Sequence, residues 1–146
     1  MREALREYHT LLQARRAPCL DYLNARVPHR YTAIYRLADG HLHNVDLYDK
    51  QGEMRPDFLA VVPLEDSFCQ FVLRNGSLLC DDSRHEPLLD GHKYQGAMLA
   101  YHGVPLLDDH GELFGTLCHF DTVSHGLSDE ELQILHGAAR ILPAYL

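Results

Sequence analysis

Cysteine and histidine are the side chains here with the most chemical reach. A thiolate is both a nucleophile and a metal ligand, and the chain has Cys19, Cys69, Cys80 and Cys118. They form no C-x-x-C pair and no zinc-ligand spacing. Cys69 falls in a short predicted helix and Cys118 in mid-strand, where a small buried hydrophobe is the ordinary role. Eleven histidines raise the metal question. His41 and His43 share one strand face at i, i+2, and His85 and His92 flank a loop. None reproduces H-E-x-x-H or another strong ligand pattern. Solvated histidines, no metal site and no assignable cofactor are therefore the expectation.

Two further groups are candidates for ligand contact. The run Asp81-Asp82-Ser83-Arg84-His85-Glu86 opens a long loop, and binding residues concentrate on loops. Arg84 could pair with a ligand carboxylate or phosphate; equally, Asp81 or Asp82 could cap the next turn and Arg84 form a surface ion pair. Tyr101, His102 and His119 lie on two strands whose phase the sequence alone does not set. A ligand contact and a hydrogen-bonded core role are both open for His119.

The elements that position these residues are more legible. Met98 to Leu107 and Leu113 to Phe120 are apolar runs around Asp108-Asp109-His110-Gly111, a β-hairpin pattern. Neither run alternates strictly, so both strands should be covered on both faces. Leu5, Tyr8, Leu11 and Leu12 set a helix over 2–14. A second helix should start at Pro18, bury Cys19, Leu20, Leu23 and Val27, and stop at Pro28. Tyr31 to Leu37 and Leu42 to Tyr48 read as strands joined by Ala38-Asp39-Gly40. Residues 49–63 read as irregular. Asp66 would cap a helix over 67–74 that ends at Asn75-Gly76, and Ser77 to Cys80 as a strand. Ser128 and Glu131 form a capping box for the last helix, which Pro143 ends.

At 146 residues the chain has one domain's length, enough to bury roughly two-thirds of its unfolded surface. The net charge of −8 argues against nucleic acid. No window reaches the ~18 apolar residues of a membrane span, and Met1-Arg2-Glu3-Ala4 opens no signal-peptide core. A cytoplasmic location with reduced cysteines is expected. Helices at both ends of sequential antiparallel strands define an α+β architecture.

Four segments in this order resemble the GAF domain family, the PAS-like small-molecule-binding modules. They are Pro63-Leu64-Glu65-Asp66-Ser67-Phe68-Cys69, Leu78 to Arg84, Tyr101-His102-Gly103-Val104-Pro105-Leu106, and Gly115-Thr116-Leu117-Cys118-His119-Phe120-Asp121, followed by a Leu-Ser-Asp-Glu-Glu-Leu helix start at 127–132. The resemblance implies a six-stranded antiparallel sheet of 2-1-5-4-3-6 order. Terminal helices would lie on one face and a loop-covered pocket on the other. Residues 1–17 would be an N-terminal helix, a possible dimer element, and 18–146 the GAF core. By family geometry Cys69 and Cys118 would approach each other.

The function this implies is a non-catalytic sensory module. It would bind a small-molecule effector between the sheet and the 49–67 and 81–97 loops, with Phe68, Cys69, Asp82, Tyr94, Tyr101 and His119 as contacts. Homodimerisation through surplus apolar helix surface and a signalling partner protein are expected as well. One alternative is a thiol enzyme like the GAF-type free methionine-(R)-sulfoxide reductases. That branch's reactive cysteine would fall within 82–97, which here contains none. The other is a structural dimerisation or docking domain.

Overall fold

A computed structural model describes all residues, 1–146. Its centre is a six-stranded antiparallel sheet in the order β3-β2-β1-β6-β5-β4. The strands are β1 (Tyr31–Ala38), β2 (His41–Asp49), β3 (Val61–Pro63), β4 (Leu78–Cys80), β5 (Ala100–Leu107) and β6 (Leu113–Asp121). The helices are α1 (Arg2–Arg15), α2 (Leu20–Asn24), α3 (Cys69–Asn75) and α4 (Asp129–Ile141).

The strand order differs from the expectation at one edge. With β3 set aside, the strands run 2-1-5-4-3 in chain order, but the sixth strand is β3. It lies outside β2, with Leu42 opposite Val62 and His43 opposite Val61. The supposedly irregular 49–63 stretch therefore ends as a short edge strand, preceded by a 3-10 turn over Asp57–Leu59.

Local chemistry explains the turns. Asp39 and Gly40 both have positive φ, 54° and 71°, which suits a tight hairpin turn between β1 and β2. A bulge follows at Ile34/Tyr35. There the Asn44 amide donates to the Ile34 and Asp46 carbonyls at 3.2 and 2.9 Å. In the second hairpin the Asp108 carboxylate accepts from the His110 and Glu112 amides. Pro105 is tolerated in β5 because β4 pairs only as far as Gly103.

Helix ends depart from expectation where side chains find better partners. Asp66 does not cap α3; it sits in a 3-10 turn, and α3 starts after Phe68 without a side-chain cap. The second helix is only five residues long. The Asn24 carbonyl and side-chain oxygen accept from the Lys50 ammonium at 2.8 and 2.6 Å. Its amide donates to the His29 carbonyl and Thr32 hydroxyl. Ser128 caps α4, accepting from the Glu131 amide, but the Glu131 carboxylate turns away to Arg26. Only half of the capping box forms.

Two apolar layers sandwich the sheet. On one face Ala4, Tyr8 and Leu12 of α1, Leu20 and Leu23 of α2, and Ile134, Leu135 and Ala138 of α4 pack on Ile34, Val104, Leu106 and Leu117. On the other, α3 and the loops cover Tyr31, Ala33, Tyr35, Tyr101, Cys118 and Phe120. No helix is long and apolar enough to cross a membrane.

Candidate functional site

A cavity of about 70 Å³ lies on the α3 face of the sheet. Its thirteen lining residues are eleven hydrophobic ones with Asp66 and Ser67. Tyr35 and Leu42 come from β1 and β2, Phe58, Leu59 and Val62 from the 49–63 connection, and Phe68 and Cys69 from the start of α3. Tyr94 and Met98 come from the long loop, and Tyr101 and Phe120 from the central strands. Phe58 is half exposed and stacks near Tyr94, with ring centroids 6.0 Å apart. These two rings form the outer wall.

The floor is a hydrogen-bonded knot. The Cys69 thiol is 3.1 Å from the Tyr101 hydroxyl and 3.3 Å from the Thr116 hydroxyl, while the Cys118 thiol donates to the Ala33 carbonyl at 3.7 Å. Burial pushes the Tyr101 phenol and the Cys118 thiol well above their usual values, so both stay protonated. Cys118 first, then Thr116 and Tyr101, are the neighbours able to stabilise a Cys69 thiolate. They pull it below the ordinary thiol value against its own burial. All four cysteines are free and buried.

Two other polar side chains of the wall are paired as well. The Tyr35 hydroxyl donates to the Leu59 carbonyl at 2.9 Å, and the Ser67 hydroxyl to the Leu64 carbonyl at 2.8 Å. At the rim Asp66 faces the Lys93 ammonium at 3.6 Å. The wall contains no arginine, lysine or histidine.

Of the six residues singled out in the sequence, Phe68, Cys69, Tyr94 and Tyr101 line the cavity; Asp82 and His119 do not. The Asp82 carboxylate is spent locally, accepting from the Arg84 amide at 3.1 Å and pairing with its guanidinium at 2.7 Å. That contact also holds the Asp82 carboxyl below its usual value, and it engages Arg84 as well. His119 points to the helix face, because strand alternation puts it opposite to Cys118 and Phe120 and beside Thr32, 2.7 Å away.

The expectation of solvated histidines holds for the exposed His41 and His85 and in part for the half-buried His43 and His92, but not for three others. His29, His102 and His119 are all buried, paired with one another and with Asp81 and Thr32. Nowhere do three or more His, Cys, Asp or Glu side chains converge in metal-binding geometry.

Tyr35, Phe58, Val62 and Phe120 went unrecognised as wall residues. Tyr35 and Phe120 follow from strand phase once Tyr101 and Cys118 are placed on one face. Gly103 was missed too. A Cβ there would lie 2.7–2.9 Å from the Tyr101 ring and hydroxyl, so glycine lets that ring lie over β5 and reach Cys69. Gly103→Ala is expected to displace the ring, break the Cys69–Tyr101 contact and cost about 1–3 kcal/mol. Near-ultraviolet circular dichroism and urea unfolding would register both; an unchanged tyrosine signal with unchanged stability would contradict this.

The model of the GAF domain family matches residues 1–142. The chain belongs to the GAF domain family. Among solved structures, the GAF domain of an Acinetobacter phosphoenolpyruvate-protein phosphotransferase superposes with a TM-score of 0.77 at 12% identity, covering 98% of this chain and 90% of that one. A type II free methionine-R-sulfoxide reductase from Thermoplasma acidophilum gives 0.68 at 19% identity, with 97% and 94% covered. The corresponding reductase from Neisseria meningitidis, in complex with its substrate, gives 0.71 at 18% identity, with 99% and 86% covered. At these identities the likeness concerns the fold. No curated protein sequence matches this chain.

Proposed function

We propose that this GAF domain is a non-catalytic small-molecule-binding sensory module whose effector is uncharged and mainly apolar. The observation that carries this is the character of the cavity wall: aromatic and aliphatic, with the Tyr35, Ser67, Cys69 and Tyr101 side chains already hydrogen-bonded and no cation among the lining residues. Binding sites usually combine such walls with a few orienting polar groups; here Cys69 and Tyr101 fill that role. An anionic ligand would lose its hydration without a counter-charge, which costs several kcal/mol. The room inside accommodates roughly five water-sized atoms. The effector therefore inserts one end, and its remainder extends past Phe58 and Tyr94.

Half-buried Leu5, Leu11, Ile141 and Tyr145 flank the helix-side core and support homodimerisation through α1 and α4, with occupancy relayed to a partner protein. The reductase reading has Cys69 in the cavity wall in its favour, but segment 82–97 offers no attacking thiol.

A thermal-shift panel of uncharged ring compounds, matched carboxylates and free methionine sulfoxide with a thiol reductant tests the reading. Uncharged compounds are expected to raise the midpoint by about 5–10 °C at ~100-fold excess over Kd, and to shift resonances of Tyr35, Cys69 and Tyr101. Stabilisation by the carboxylates alone, resonance shifts elsewhere, or sustained sulfoxide reduction would each overturn it.

A further inference from the structure

The helix face holds a second chemical centre, outside the cavity. Four histidines from different segments meet there: His29 before β1, His102 on β5, His119 on β6 and His125 after β6. The His29 ring lies 5.0, 5.5 and 5.2 Å from the His102, His119 and His125 rings, centroid to centroid.

The hydrogen bonds fix the tautomers. The Asp81 carboxylate is 2.8 Å from His102 Nε2, so that nitrogen carries the proton and donates. In neutral His102, Nδ1 then accepts from His29 Nε2 at 2.9 Å. His29 Nδ1 is left as a bare lone pair, and it is buried without any partner. An orphaned buried acceptor of this kind is rare and calls for an explanation. It is a basic lone pair that no donor in the protein satisfies.

We propose that this cluster is a proton-operated latch. It holds the 25–30 segment against the sheet while His29 and His119 are neutral and releases that segment when they are protonated. The surrounding charges favour release over accommodation. Lys50 reaches in from the end of β2 to Asn24. The anions near the cluster, Asp121 on β6 and Asp81 after β4, are engaged by His125 together with the Arg30 amide, and by His102. A proton on His29 Nδ1 would add a buried cation beside three imidazoles and an ammonium. Burial, reinforced by His102, His125 and Lys50 and only partly offset by Asp121, pushes His29 down to about 3. Burial likewise pushes His119 well down, helped by His29, His102 and Lys50, and lowers His102 against the pull of Asp81.

The sign follows. A histidine whose basicity is suppressed in the closed form contributes stability that is complete above its free value near 6.5, and that is lost as pH falls toward the suppressed value. Between pH 7 and 5 the closed-to-open ratio should fall at least about tenfold from His29 alone. The consequence reaches the cavity, because Tyr101, Cys118 and Phe120 lie on the opposite faces of the two strands that carry His102 and His119.

Two measurements on the whole chain test this. Histidine nitrogen resonances, followed from pH 8 to 4, should show His29 and His119 neutral in every closed molecule. Over the same range amide protection across 24–32, corrected for intrinsic exchange, should drop at least tenfold. Ordinary titration of His29 and His119 near 6.5 in a fully protected protein would overturn the latch. In His29→Phe, which removes the base and keeps the packing, the acid-dependent part of the thermal midpoint should flatten. A pH profile parallel to that of the parent would also overturn it, and the resonance titration decides the matter if that variant does not fold.

Discussion

Replacing Gly115 with alanine should abolish the cooperative fold, the largest effect of any single methyl in this chain. Gly115 lies on β6 opposite Arg36 of β1. A Cβ there would run into the Tyr35 carbonyl and stand 2.9 Å from Arg36 Cα. These are backbone atoms held in the ladder of a central strand, so no rotamer change relieves the overlap. The opposing term is small: alanine restricts the unfolded chain and returns only about 0.4–1 kcal/mol. The β1–β6 pairing must separate locally, and both cores are built on it. A loss above about 4 kcal/mol is expected, read as disappearance of the urea transition or as a midpoint near zero denaturant. A variant within ~1 kcal/mol of the parent would show that the two strands are looser than drawn. Gly137 makes an informative contrast. A Cβ there meets the methyls of Leu5, the far end of a flexible side chain, so the same substitution in α4 should be far milder.

Gly115 also shows what kind of information the sequence withholds. The hairpins, the stop of α3 and the two terminal helices were legible because each is set by neighbours a few residues apart: Asp39-Gly40, Asn75-Gly76, the Asp108 turn, the Ser128 cap. The order of elements supplied the α+β class, and the family likeness supplied the six-stranded sheet. Strand phase was not legible, since period-two alternation disappears when both faces are covered, and the β6 burial pattern is nearly uniform. One unknown phase accounts for the misplacement of His119, which shares its strand with the pocket residue Phe120. Asp82 was misplaced for a different reason: a carboxylate two residues before an arginine and an available amide satisfies itself locally. The histidine cluster was invisible because its members are scattered along the chain and meet only through the sheet pairing of His102 with His119. Cys69 was expected in the pocket from the family likeness, and it lines the cavity from the first turn of α3.

Phe68→Ala should separate a cavity that receives ligands from a core that is merely imperfect. Phe68 is buried, edge-on to Tyr101 at 5.7 Å and to His92 at 4.8 Å between centroids. Truncation should cost about 3–5 kcal/mol. The lower part of that range is favoured, because the ring already borders free space and fewer contacts are lost. What remains is an enlarged apolar void, and voids of this kind take up small aromatic molecules. A benzene-sized ligand at ~100 times its Kd should return about 2.7 kcal/mol, most of the loss. Phe71→Ala is the matched control: the same atoms are removed from the same apolar layer, at a position that does not line the cavity. Its void should not merge with the cavity and should not be rescued. Rescue of Phe68→Ala alone supports an accessible receptor space between α3, the two loops and the sheet. Equal rescue of both variants, or of neither, would mean that the space under Phe58 and Tyr94 is a packing defect with no receptor role.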